Sequence, residues 1–293
     1  VNDGVMVYPS DGNSEYQMKL LDYKRISEIS FLDNSYCIST FDGGIHFYSF
    51  KNEIFKKVDF KGFKFYQVAA YGDGLLVNNN KSLYLYDFRQ NKISEFASVI
   101  SKELQNNVKS FYVDSLDRLW ILTKENRLFS YDKNTKLKEY KDVKLLLLKD
   151  DSPQIFYSDP MGNIWLGYID NLYRISFTSD HEIDEVESIH QNVMFDSCGI
   201  SKIRAMYWDS RTSSMFVGTD VQGMYQLYID RQKPIKDIKI EHYMFDKGDK
   251  HSLSSNFVSS IIRDKSGILW FGTEQGGLCR AIEEDGQRMK FIS

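Results

Sequence analysis

The 293-residue sequence predicts an all-β protein, a β-propeller of four-stranded antiparallel blades, and three observations carry that expectation. The first is a recurring phrase. RLWILTKENR (118–127), NIWLGYIDNL (163–172) and ILWFGTEQGG (268–277) each write a Trp, a few strand formers and a polar turn. Trp120, Trp165 and Trp270 hold the same place in it, which accounts for three of the four tryptophans. The second is spacing. The third residue after each Trp is Thr123, Tyr168 or Thr273, and weaker copies supply Thr40, Asn78 and Thr219, so successive markers stand 38 to 54 residues apart. A four-stranded propeller blade takes roughly 40–50 residues. The third is composition: 42% hydrophobic and 15% aromatic with only 4 Pro, which suits pleated, half-buried strands.

The last copy spells out one blade. Val258 to Arg263 alternates as a half-buried strand, 264–267 (DKSG) is a type I turn, and 268–273 is a second strand. Gly276 and Gly277 supply the next reversal, 278–282 makes a third strand, and 284–286 turns into a fourth at 288–292. The same grammar runs through 110–140 and 155–177, where Pro160 and Gly162 take the second and fourth positions of the turn, as type I geometry prefers.

The whole chain, 1–293, reads as a single propeller domain, with blades at roughly 23–60, 61–98, 104–143, 150–190, 198–245 and 252–293. Residues 1–22 align with the part of the last copy that follows its marker, so they supply only the third and fourth strands of another blade. A half blade exposes strand edges that proteins normally protect. The expectation is therefore seven blades, one completed by flanking sequence, with six blades plus an extra ribbon as the alternative.

Net charge is −4 with acids and bases interspersed, so no basic stripe points to nucleic acid or to an anionic membrane. No apolar run reaches the 18 or so residues of a spanning helix, and the first residues lack the basic and apolar regions of an export signal. Cys37, Cys198 and Cys279 have neither zinc nor disulfide-framework spacing and read as idle thiols. The histidines at 46, 181, 190, 242 and 251 lack metal-ligand spacing. No nucleophile elbow or phosphate-cradling loop appears, so no metal, cofactor or catalytic residue is expected.

The run 246–278 (DKGDKHSLSSNFVSSIIRDKSGILWFGTEQGGL) resembles the propeller repeats in sensor ectodomains of bacterial hybrid two-component systems. Ser252 to Asn256 and Asp264 to Leu278 match that pattern almost throughout. The blades marked by Thr123 and Tyr168 match with losses, Asp117 standing where Gly is usual, while in the Thr219 blade Phe216 replaces Trp and the turn after Asp209 is one residue longer. The blades around Thr40 and Asn78 follow by spacing alone. The resemblance implies a periplasmic, non-catalytic sensor propeller, one of two beside an immunoglobulin-like module, in a homodimer coupled to a histidine kinase. Many such ectodomains sense oligosaccharides, so an oligosaccharide or other small ligand is the expected partner, without nucleic acid and without membrane contact by this segment. A propeller-fold lyase or glycosidase and a purely structural scaffold are the competing readings.

Trp120, Trp165 and Trp270 read as wedges between blades rather than sugar platforms. Asp114, Asp159 and Asp264 open turns, where Asp bonds backbone amides locally, and Gly162 and Gly267 close two of them. Binding residues are expected on loops carried by a rigid scaffold. The loops after the markers offer Phe41 and Asp42, Lys124 and Glu125, Asp170 and Asn171, Asp220 and Gln222, and Glu274 and Gln275. Two long inter-blade stretches, 178–208 and 229–256, exceed what a blade needs. Within the first, His190, Lys202, Arg204, Tyr207 and Trp208 bring cations and aromatics together in sequence, a combination suited to an acidic or sulfated sugar. Tyr207 or Trp208 must face the core of an alternating strand, and Arg204 has acids nearby to pair with.

Overall fold

The computed structural model describes residues 5–7, 18–20, 26–32, 35–40, 44–49, 54–59, 67–79, 81–114, 116–133, 136–141, 155–193, 195, 201–230, 233–284 and 287–292. β1 (Val5–Val7) and β2 (Met18–Leu20) pair as a two-stranded antiparallel sheet. Six four-stranded antiparallel sheets follow, each laid down in sequence order from one edge to the other.

The first sheet holds β3 (Ile26–Leu32), β4 (Ser35–Thr40), β5 (Gly44–Ser49) and β6 (Ile54–Asp59). The second holds β7 (Gln67–Tyr71), β8 (Gly74–Asn78), β9 (Leu83–Asp87) and β10 (Lys92–Glu95). The third holds β11 (Val108–Val113), β12 (Leu119–Thr123), β13 (Leu128–Asp132) and β14 (Lys136–Tyr140). The fourth holds β15 (Ile155–Ser158), β16 (Ile164–Gly167), β17 (Leu172–Phe177) and β18 (Ile183–Ser188). The fifth holds β19 (Ile203–Asp209), β20 (Ser214–Thr219), β21 (Met224–Tyr228) and β22 (Lys239–Tyr243). The sixth holds β23 (Val258–Arg263), β24 (Leu269–Thr273), β25 (Gly277–Ile282) and β26 (Lys290–Ile292). No helix among the described residues is long and apolar enough to cross a membrane.

The chain divides into two compact units, Val1–Lys141 and Asp142–Ser293. In the first unit, Val68, Leu75, Val77 and Tyr86 of the second sheet pack on Cys37 and Ile45 of the first. The other face of the second sheet, with Tyr71, Leu76 and Leu83, packs on Val108, Phe111, Leu119, Ile121 and Phe129 of the third. In the second unit the fifth sheet is likewise buried on both faces. Met206, Met215, Val217 and Tyr225 meet Trp165 and Leu172 of the fourth sheet, while Ala205, Phe216, Met224 and Tyr243 meet Val258, Leu269 and Phe271 of the sixth. Alternation along a strand thus feeds two cores, and the second strands β8, β12, β16 and β20 are buried along their whole length because neither of their faces meets water. Cys37 and Cys279 are buried free thiols. Cys198, Phe41 and Asp42 lie outside the described residues.

The turn after the first strand is built as its sequence demands. At 264–268, Gly267 N–H donates to Asp264 O (3.0 Å), Asp264 N–H donates to Ile268 O (2.8 Å), and Gly267 sits at φ +85°. This is a type I turn followed by one left-handed residue, a common hairpin solution. Gly162 repeats it at φ +86°, whereas the third sheet places Asp117 there at φ +58°, a conformation that a side chain resists.

Strict alternation of Val258–Arg263 gives way to a bulge. Val258 and Ile261 are buried with Ser259 and Ser260 exposed between them, since the β23–β24 register slips between Val258 and Ser260. The same slip occurs between Ile26 and Glu28, Val108 and Ser110, and Ile203 and Ala205.

Candidate functional site

The repeated Asp and Trp form one motif. Asp159 Oδ1 accepts the Met161 and Asn163 N–H groups (2.9 and 3.0 Å) while Oδ2 accepts the Trp165 indole (2.9 Å). Asp114 serves Leu116, Arg118 and Trp120 in the same way, with the indole at 3.0 Å. Asp264 binds Ile268 N–H and the Trp270 indole (2.8 Å), and that indole first, then backbone amides, holds its carboxyl below the ordinary range. Trp120 and Trp165 are fully buried, and Trp270 partly. These carboxylates are engaged by the protein itself and hold turns.

The markers explain how the opposite end of each sheet is shaped. Thr219 Oγ1 donates to Gly223 O (3.0 Å) and accepts Gln222 N–H (2.9 Å); Thr273 Oγ1 donates to Gly277 O (2.9 Å); Thr123 Oγ1 accepts Arg127 N–H (3.1 Å). A buried hydroxyl thus closes the turn between second and third strands. Tyr168 cannot do this, and its turn is one residue shorter. Asn171 Oδ1 takes over, accepting Leu172 N–H (2.8 Å) and the Ser188 hydroxyl (3.0 Å), and the Tyr168 hydroxyl is buried without a hydrogen-bond partner among the described residues.

The bulges decide which side chains reach this end. In the third, fifth and sixth sheets the residues inserted by the slip are Lys109, Arg204 and Ser259, and a bulge re-aims the inserted side chain. Each turns toward the end of the second strand or the turn after it: Lys109 Nζ donates to Asn126 Oδ1 (2.7 Å), Ser259 Oγ to Gly272 O (3.2 Å), and Arg204 pairs with Asp220 (3.7 Å). Arg204 also lies over the Phe257 ring, 5.0 Å from its centroid, and stays exposed. Lys202 O accepts Asp220 N–H (3.1 Å), and Glu274 N–H donates to Phe257 O (3.0 Å). Lys202, Arg204, Asp220, Phe257 and Glu274 therefore gather at adjoining ends of the fifth and sixth sheets. A cation, an aromatic face and carboxylates in one exposed patch can hold an acidic or polyhydroxylated ligand.

The other expected residues are placed as follows. His190 Nε2 lies 2.7 Å from Asp170 O, so these two meet at the same end of the fourth sheet, which adjoins the fifth through Ile203 N–H donating to Tyr168 O (3.4 Å). Gln222 O accepts from His242 Nε2 (2.6 Å), and because a carbonyl only accepts, Nε2 carries the hydrogen. Gln275 sits at φ +66° in the β24–β25 turn. Lys124 and Glu125 are exposed in the corresponding β12–β13 turn of the first unit. Trp208 is not brought to Arg204. It stands four residues further along β19, about 13 Å at a strand's rise, and packs on the core between the fourth and fifth sheets, while Tyr207 packs on the core between the fifth and sixth. An alternating strand in a blade has two buried faces, so both aromatics are spent on packing.

Sequence reasoning missed Phe257, the ring beneath Arg204, and Arg263. With Phe216 in place of Trp, Asp209 takes the Arg263 guanidinium instead, through Nε (2.8 Å) and a terminal nitrogen (2.7 Å), and Arg263 also grips Glu283 (2.7 and 2.9 Å). The missing Trp was the available signal. The second long stretch, 229–256, is in part a clamp. Glu187 Oε1 accepts Ile235 N–H (2.7 Å), Arg174 donates to Lys233 O (3.2 Å), and Asn192 Nδ2 reaches the carbonyls of Ile235, Lys236 and Ile238 at 2.9, 3.2 and 3.0 Å. No group of three or more His, Cys, Asp or Glu among the described residues could hold a metal ion.

Comparison with solved structures defines the class. Over 97% of its length the chain is similar to the extracellular domain named for the hybrid two component system BT4673 of B. thetaiotaomicron, at 19% identity and a TM-score of 0.70, covering 36% of that chain. It matches in full the extracellular domain named for BT3049 of the same organism, at 16% identity and a TM-score of 0.63, covering 37% of that chain. Virginiamycin B lyase from Staphylococcus aureus is similar over 92% of this chain and 84% of its own, at 11% identity and a TM-score of 0.63. The fold is that of a β-propeller, and six four-stranded sheets fit six blades. Residues 252–275 match the two component regulator propeller family. The chain spans little more than a third of the two ectodomains' length. No curated protein matches it.

Proposed function

We propose that the chain is a non-catalytic sensing propeller in the periplasmic region of a hybrid two-component signalling protein, where it helps detect an oligosaccharide and pass the signal to a histidine kinase. The signalling part is supported by the repeat at 252–275 and by the likeness to hybrid two-component ectodomains. The ligand part is supported by one observation: a bulge delivers Arg204, stacked on Phe257 and beside Asp220, to an exposed turn-bearing end. Guanidinium and carboxylate groups hydrogen-bond sugar hydroxyls or acidic substituents, and aromatic faces pack on pyranose rings. A ligand drives a signal only through its differential affinity for two arrangements of the packed domains. In this reading those domains are a neighbouring propeller, an immunoglobulin-like module and a second copy of the protein.

The test is titration of the chain and of its Arg204→Met variant with neutral, acidic and sulfated oligosaccharides, following heat and saccharide products together. Binding weakened at least tenfold by the substitution, with an unchanged unfolding midpoint, supports the site. Binding indifferent to Arg204 places recognition elsewhere, and absence of binding favours a scaffold. Product formation replaces the sensor with a propeller lyase or glycosidase.

A further inference from the structure

A concave site lies along β22 and β26 of the second unit. A cleft of about 520 Å³ opens where β22 and β26 meet the segment between them, within the size range of small-ligand pockets. Its floor is apolar and aromatic, with Tyr243, Met289 and Phe291 buried, and its rim carries His242, His251, Arg288 and Lys290.

The acids at the cleft are already engaged. Asp246 Oδ1 accepts Gly248 N–H (2.8 Å) and Asp249 Oδ1 accepts His251 N–H (2.8 Å), each closing a local turn. The cation at its centre is held yet unneutralised. Arg288 lies over the Tyr243 ring, 4.9 Å from its centroid, and donates to His242 O, and no carboxylate pairs with it among the described residues. Stacking and one carbonyl fix the guanidinium while leaving most of its five donors unused, the arrangement that favours bidentate capture of an oxyanion. His251 adds a second unfilled group. Its backbone is pinned on both sides, by Asp249 and by Phe291 N–H donating to its carbonyl (2.8 Å), while its buried Nδ1 has no hydrogen-bond partner. A buried polar atom without a partner is costly, and a ligand donor or acceptor relieves it.

We propose that this cleft binds an acidic sugar unit, its carboxylate or sulfate gripped by Arg288 with support from His251, and its ring lying on the aromatic floor. His242 links the cleft to the β20–β21 turn at the same end of the fifth sheet, since its Nε2 holds Gln222 O (2.6 Å) beside Asp220. The site stands whether or not the Arg204 patch binds anything.

The experiment is calorimetric titration of the chain with D-glucuronate, glucose 6-sulfate, glucose and inorganic sulfate, repeated on Arg288→Met and Arg204→Met. Imidazole nitrogen shifts of His251 are followed by NMR. The expected result is saturable binding of at least one acidic sugar, weakened tenfold or more by Arg288→Met, unchanged by Arg204→Met, and accompanied by a shift of the His251 Nδ1 signal. Three results overturn the proposal: no saturable binding of either acidic sugar, equal binding by Arg288→Met, or inorganic sulfate binding as tightly as the sugars. Exposed Arg288 contributes little to the core, so loss of folding does not confuse the outcome.

Discussion

Trp165 donates its indole N–H to Asp159 Oδ2 across 2.9 Å, and six residues separate donor from acceptor in every repeat of the pair. The carboxylate that shapes the turn also fixes the large side chain that fills the space between sheets. Two sequence signals that look independent are therefore one device, coupling hairpin geometry to packing.

Breaking that bond costs stability without touching the turn-bearing end opposite. Trp165→Phe removes the donor and leaves buried Asp159 Oδ2 with only the Asn163 amide (2.9 Å). An expected loss of about 1–3 kcal/mol follows from one hydrogen bond lost to a buried carboxylate together with lost packing. Urea unfolding monitored by circular dichroism measures it, and an unchanged midpoint contradicts the coupling.

The third sheet carries a local strain that one substitution relieves. Asp117 sits at φ +58° where the fourth and sixth sheets place Gly162 and Gly267. Asp117→Gly is expected to raise stability by roughly 0.5–1 kcal/mol, the strain removed exceeding the entropy that glycine adds to the unfolded chain. Asp117→Ala lowers it. Thermal midpoints of the three proteins decide the order.

The Asp209–Arg263 pair predicts an acid-sensitive contribution. Burial pushes the Asp209 carboxyl up, but hydrogen bonds from Arg263 and Thr212 outweigh it and hold the group below its ordinary range. A carboxyl with a depressed folded value stabilises the fold above its unfolded value, about 3.9, and loses that contribution as pH falls through the folded value. The stability gap between the chain and Asp209→Asn is thus expected to be full at pH 6 and to shrink below about pH 4. Denaturant midpoints at pH 6 and pH 3 check it, and a constant gap contradicts the assignment.

Much of the fold was legible because its punctuation is chemical. Asp, Gly and Trp at fixed offsets specify a turn, a left-handed residue and a wedge, and the structure places all three accordingly at Asp159, Gly162 and Trp165. The bulges were not legible. Nothing in the local residues at 203–205 signals that the register slips, and without that slip Arg204 reads as one more alternating position rather than a side chain aimed at a turn. Phe257 beneath it comes from the next sheet, and Asn192 grips carbonyls more than forty residues away. Such contacts depend on how sheets stack, which a linear pattern does not contain. The closeness of Trp208 to Arg204 in sequence misled for the same reason, since a strand carries residues four apart to different ends of a sheet.

The most direct test of the sensing account is calorimetric titration of this chain with neutral, acidic and sulfated oligosaccharides, with the recovered saccharides weighed by mass spectrometry. The account predicts saturable binding of an acidic or sulfated member, returned chemically unchanged. Shortened or unsaturated products, or the absence of binding across the panel, would contradict it.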